Sequence, residues 1–80
     1  MAYAVQLAPA AIDRLRAMPA DLQDLTERRL TRLSDEPRPA EAACLDRDRA
    51  IYRLRLADLA ITYRVYESLN LVYVVRIRQR

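Results

Sequence analysis

The sequence predicts an α+β fold: a helical hairpin packed on a four-stranded, mostly antiparallel sheet, in the order β-α-α-β-β-β. Three observations carry this reading. Apolar residues recur at helical spacing from Pro9 to Ser34. They switch to strict alternation from Ala50 onward. Prolines at 9, 19, 37 and 39 punctuate the helical half. The 80 residues have room for one small domain, taken here as residues 1–80.

Tyr3 to Leu7 reads as a short strand with Tyr3, Val5 and Leu7 on one face. Pro9 suits the first turn of a helix, where its missing N–H costs nothing. Ala11, Ile12, Leu15 and Met18 then follow on one side, and Pro19 breaks the run. A second helix is expected from about Ala20 to Ser34, with Leu22, Leu25, Leu30 and Leu33 as its core face. Asp21 and Asp24 near its start and Arg28, Arg29 and Arg32 near its end suit the helix dipole. Pro37 and Pro39 stop it.

Residues 37 to 49 read as irregular, with Leu45 anchoring them to the core and Cys44 as a small buried hydrophobe. Three strands follow. Ala50 to Leu56 sets Tyr52, Leu54 and Leu56 against Arg53 and Arg55. Leu59 to Tyr66 sets Leu59, Ile61, Tyr63 and Val65 against Ala60, Thr62, Arg64 and Tyr66. Leu71 to Arg80 sets Leu71, Tyr73, Val75 and Ile77 against Val72, Val74, Arg76, Arg78 and Arg80. Tyr52, Tyr63 and Tyr73 are therefore expected in the core. The turns are Ala57-Asp58 and Ser68-Leu69-Asn70, where Asn70 tolerates a positive φ.

Composition excludes much chemistry. All fourteen basic residues are Arg; Lys, His, Gly, Trp and Phe are absent. Without His there is no imidazole base or imidazole metal ligand. Without Lys there is no Schiff base, and without Gly no Gly-rich phosphate loop. The one Cys forms no internal disulfide and no cysteine zinc site, so neither a metal nor another cofactor is expected. The segment MAYAVQLAPAA lacks a basic n-region, and no run of about 18 apolar residues occurs. A cytoplasmic protein without a membrane partner is the expectation.

Charge is unevenly placed. Residues 1–50 carry eight Arg against nine acids, whereas residues 51–80 carry six Arg against two. The net +3 thus comes from the three last strands. Alternation puts Arg53, Arg55, Arg64, Arg76, Arg78 and Arg80 on the face that helices do not cover. Guanidinium groups bind phosphate through a planar, permanently charged fork, so this face reads as an anion-binding surface suited to nucleic acid. Tyr66 on that face offers a ring for a base to stack on. A solvated outer face and a dock for an acidic protein segment are the alternatives.

Five segments together resemble the RelE/ParE superfamily of bacterial toxins. They are YAVQLAPAAIDRL (Tyr3 to Leu15), the leucine helix ending at Pro37, Leu45 seven residues before YRLRLAD (Tyr52 to Asp58), ITYRV (Ile61 to Val65) and VYVVRIRQR (Val72 to Arg80). The resemblance spans nearly the whole chain. It implies the toxin of a type II toxin–antitoxin system, neutralised by a cognate antitoxin, with operator DNA bound only through the antitoxin complex. RelE-like members are ribosome-dependent mRNA endoribonucleases, in which the 2′-OH attacks the adjacent phosphate; ParE-like members inhibit DNA gyrase. A degenerate toxin that only binds its antitoxin is the remaining alternative. By resemblance, Arg53, Arg55 and Arg80 take the catalytic positions; Arg64, Arg76, Arg78 and Tyr66, which alternation sets on the same face, are the candidates for RNA binding.

The chain departs from that pattern at defined points. Ala57-Asp58-Leu59-Ala60 stands where the family has Gly-Asp-Tyr-Arg, so Ala60 replaces an arginine expected at the scissile phosphate. The C-terminal Tyr or His that often acts as acid or base has no counterpart after Arg80. Arginine does not give up its proton near neutral pH. Glu67, Asp58 or Tyr66 would have to take that role.

Overall fold

Helices α1 (Pro9–Arg16) and α2 (Ala20–Asp35) pack on a mixed sheet of strands β1 (Ala4–Leu7), β2 (Ala43–Asp46), β3 (Ile51–Leu56), β4 (Leu59–Tyr66) and β5 (Leu71–Gln79) in a computed structural model that describes residues 2–79. The spatial order is β1-β5-β4-β3-β2. β1 runs parallel to β5, and every other neighbouring pair is antiparallel. The predicted hairpin-on-sheet architecture holds, with one strand more than expected.

The extra strand is β2. It pairs with β3 at the sheet edge, and three of its four side chains are exposed. ACLD has no alternation to read, because neither face is buried and a bulge falls between Cys44 and Asp46. Two expectations fail here together. Cys44 is exposed rather than buried, and Leu45 is 48% exposed instead of anchored in the core.

The core comes from both layers. The sheet contributes Leu54, Leu59, Ile61, Tyr63, Val65, Val72, Val74 and Ile77; the helices contribute Ala11, Leu30 and Leu33, and the turn between them Met18. On α2 the buried stripe runs through Leu22, Thr26, Leu30 and Leu33, and the expected Leu25 is exposed. Steps of four, four and three residues keep one helical face, which position 25 leaves. Buried Thr26 satisfies its hydroxyl by donating to the Leu22 carbonyl at 2.7 Å.

β5 departs from simple alternation. Tyr63 pairs with Val74 and Thr62 with Arg76, so Val75 is an extra residue in a bulge. Before the bulge Val72 and Val74 face the core; after it Ile77 does. Leu71 and Tyr73 therefore lie on the open face, and Val75 is 43% exposed, contrary to the alternation read from sequence. The bulge exchanges parity, which a period-two pattern does not announce.

Side chains fasten the layers. The Tyr63 hydroxyl donates to the Pro37 carbonyl at 2.8 Å, and its ring stacks on Tyr52 at 5.7 Å. Arg38 donates from Nε to the Tyr52 hydroxyl at 3.1 Å and pairs with Glu67 at 2.6 Å. Tyr3 donates its hydroxyl to the same Glu67 carboxylate at 2.8 Å. Among the described residues no helix is long and apolar enough to cross a membrane.

Candidate nucleic-acid interface

The helices cover one face of the sheet and leave the other open. Leu54 is fully buried beneath β3, which turns its neighbours Arg53 and Arg55 outward. Cross-strand register then builds two rows. Arg55 pairs with Ala60, which pairs with Arg78; Arg53 pairs with Thr62, which pairs with Arg76. Each row places two arginines on the outer strands and a small residue between them. Two inter-strand spacings separate the backbones of each arginine pair, about 10 Å.

The small central residues leave a depression of about 380 Å³, lined by Leu45, Arg53, Arg55, Ala60, Thr62, Arg76, Arg78 and Gln79. Among the described residues the ion pairs engage Arg28, Arg29, Arg38 and Arg49, and none of the four arginines of the depression. Four uncompensated cations so close repel one another. An anion placed between them relieves that repulsion and accepts several charge-assisted hydrogen bonds.

The residues expected at the site divide into three groups. Arg53, Arg55, Arg76 and Arg78 converge on the depression. Arg64 and Tyr66 share its face but do not line it. Arg64 pairs with Ile51 and Tyr73, and its guanidinium carbon lies 4.6 Å from the centre of the Tyr66 ring. The Arg64 Nε is buried without a hydrogen-bond partner. Arg80 lies outside the described residues.

None of the three candidate proton acceptors lines the depression. Glu67 is held by Tyr3 and Arg38, and these two partners keep its carboxyl below the ordinary glutamate range. Asp58 accepts a hydrogen bond from the Gln79 amide at 3.1 Å. Tyr66 stands beside Arg64. Among the described residues no three His, Cys, Asp or Glu side chains gather as a metal site.

Sequence reading missed three lining residues. Thr62 was legible, since it alternates with Ala60 and Arg64. Gln79 and Leu45 were not: alternation puts Gln79 on the side of Ile77, and Leu45 sits on the unread edge strand.

No family model and no curated protein matches the chain. Solved structures do match it. A chain of the archaeal RelE–RelB complex from Pyrococcus horikoshii OT3 is similar at 22% identity and a TM-score of 0.86, covering 100% of this chain and 97% of that one. A chain of the RelBE2 toxin–antitoxin complex from Mycobacterium tuberculosis is similar at 21% identity and a TM-score of 0.85, covering 100% and 93%. The isolated E. coli RelE toxin is similar at 16% identity and a TM-score of 0.85, covering 98% and 84%. The chain has the fold of the RelE toxins.

Proposed function

We propose that this chain is the toxin of a toxin–antitoxin system and that it acts on RNA through the open sheet face. The observation that carries the reading is the pair of rows Arg55–Ala60–Arg78 and Arg53–Thr62–Arg76, four free cations around one depression. The fold supports a toxin role, and the similar structures that are RelE bound to RelB support an antitoxin as partner. The class of action is a RelE-like, ribosome-dependent mRNA endoribonuclease in the cytoplasm.

The arginines do two things in this scheme. They hold the RNA backbone by charge-assisted forks, and they stabilise the extra negative charge that builds on the phosphate as the adjacent 2′-OH attacks, loses its proton and displaces the 5′ oxygen, which leaves protonated as a 5′-OH. Arg53 and Arg55 approach from β3, and Arg76 and Arg78 from β5. Arg80 belongs to the same proposed set, as the residue after the last one described. Thr62 offers a hydroxyl at the floor. Tyr66 and Arg64 offer a flat surface beside the depression on which a neighbouring base stacks.

The experiment is induced expression without antitoxin, followed by mapping of mRNA ends, and then cleavage of mRNA by purified protein with ribosomes. Growth arrest with new mRNA ends is expected. Unchanged growth inhibition in the Arg53→Ala, Arg78→Ala double variant, with no cleavage, would remove the ribonuclease reading. The absence of a proton acceptor in the described lining favours a second reading, a toxin that blocks DNA gyrase by binding alone. A supercoiling assay at stoichiometric protein separates the two.

A further inference from the structure

Arg76 and Arg78 line two depressions. One is the groove on the open face. The other lies over the outer edge of β5, where Ala10 and Arg14 of α1 meet Arg76, Ile77 and Arg78 around about 430 Å³.

Strand lengths create this second notch. β1 pairs with β5 only from Leu71 to Val74. The Ala8 N–H then donates to the Val74 carbonyl at 2.9 Å, and the chain turns into α1. Residues 75–79 of β5 have no strand partner on that side, so the side chains of Arg76 and Arg78 reach both the face and the edge. The last turn of α1 brings Arg14 to the far wall. Among the described residues Arg14, Arg76 and Arg78 form no ion pair. Asp13 lines a separate depression with Ala10, Arg14 and Ala17, and does not line the notch.

We infer that the notch is a second phosphate subsite for single-stranded RNA, continuous with the groove, in which Arg14 binds backbone phosphate beyond the edge of β5. The inference rests on the RNA-binding reading of the groove. The two depressions share cations. Two arginines belong to both depressions, so anions on either side draw on one continuous positive track. A linked polyanion matches such a track, with the groove holding one stretch and the notch the next.

The test is fluorescence anisotropy with labelled, uncleavable 2′-O-methyl oligouridines of about four and about twelve nucleotides, since single-strand sites span this range. Arg14→Glu and Arg14→Gln are expected to weaken binding of the longer oligomer, the former by about tenfold, and to lower its salt slope by about one charge. The shorter oligomer keeps its affinity within about twofold. Arg53→Glu weakens both lengths. Arg14→Lys restores most of the loss, and matching circular-dichroism melts show that the variants fold. Wild-type affinity for the longer oligomer in both Arg14 variants, with loss in Arg53→Glu, would overturn the subsite and leave the groove standing. Equal losses on the two lengths would overturn it as well, making Arg14 a source of general field. A wild-type protein that binds neither oligomer would overturn the groove reading and the notch with it.

Discussion

Arg55 and Arg78 stand on either side of Ala60 in a single cross-strand row of the open face. The first comes from the strand before the hairpin and the second from the last strand, and they meet only because β4 lies between them in the sheet. In the proposed RNA complex each guanidinium would reach the same phosphate from opposite sides. Arg55→Ala and Arg78→Ala should each weaken RNA binding about tenfold and lower the salt slope by about one, and their coupling in a double-mutant cycle should be non-additive. Binding titrations over a range of salt concentrations check this.

The hairpin beside that row carries backbone strain. Leu56 pairs with Leu59, leaving Ala57-Asp58 as a two-residue loop, and Ala57 adopts φ 54°. Two-residue hairpin loops favour Gly or Asn at positions of positive φ, and this chain has no Gly. Ala57→Gly relieves about 1–2 kcal/mol of steric cost and returns about 0.4–1 kcal/mol through the looser unfolded chain. A net gain of about 0.5–1 kcal/mol is expected, read as a melting temperature several degrees higher. An unchanged or lower melting temperature would refute it.

Tyr63 is the buried anchor between β4 and the segment after α2. Burial, reinforced by neighbouring Tyr52, pushes its phenol up to about 12 from the ordinary 10.0. Its folded pKa lies above the unfolded one, so the unfolded chain loses this proton first. Stability is therefore full below about pH 10 and falls as pH rises toward 12. Ultraviolet titration should show a tyrosine ionising well above the ordinary 10.0. Tyr63→Phe leaves the Pro37 carbonyl without its 2.8 Å donor, at a cost of about 1–2 kcal/mol, and should flatten the alkaline loss.

Glu67 gives the opposite dependence. The Tyr3 hydroxyl first and Arg38 second lower its carboxyl below the ordinary range. Its contribution is present above the unfolded glutamate pKa and disappears as pH falls through the lower folded value. The melting temperatures of wild type and Glu67→Gln should differ near neutral pH and converge in acid. The difference is small, because the carboxylate is exposed to solvent. A gap that persists at low pH would show that the Tyr3–Glu67–Arg38 link contributes nothing through its charge.

Most of this framework was legible in the residues. Alternation in Ile51–Leu56 and Leu59–Tyr66 placed Arg53, Arg55 and the small Ala60 and Thr62 on one face, because Leu54 in one strand and every other residue of the next are buried on the opposite face. The same logic fails in β5, where the bulge at Val75 reverses parity and brings Tyr73 and Leu71 out beside Arg64 and Tyr66. It fails again at β2, an edge strand with no buried face to enforce a pattern. The notch at Arg14 was hidden for another reason: it depends on β1 stopping at Leu7, a fact of tertiary pairing and not of local sequence.

Ala60 is where the chain departs most from what its resemblance implies, and the structure makes that departure testable. The side chain sits half-buried at the centre of the groove, between Arg55 and Arg78, with open space above it. A guanidinium introduced there by Ala60→Arg would enter the space proposed for an RNA phosphate. Two effects follow. A fifth cation among four lowers stability in the absence of ligand, so the melting temperature should fall at low salt and recover as salt screens the repulsion. With ribosomes and mRNA, one added donor to the charged transition state should raise cleavage about 10²–10³-fold, the size of effect that removal of such a donor has elsewhere. Tighter RNA binding without faster cleavage would show that the added arginine does not supply what limits the chemistry. Weaker binding and no cleavage would show that Ala60 keeps the groove open, and that its four flanking arginines complete the phosphate site.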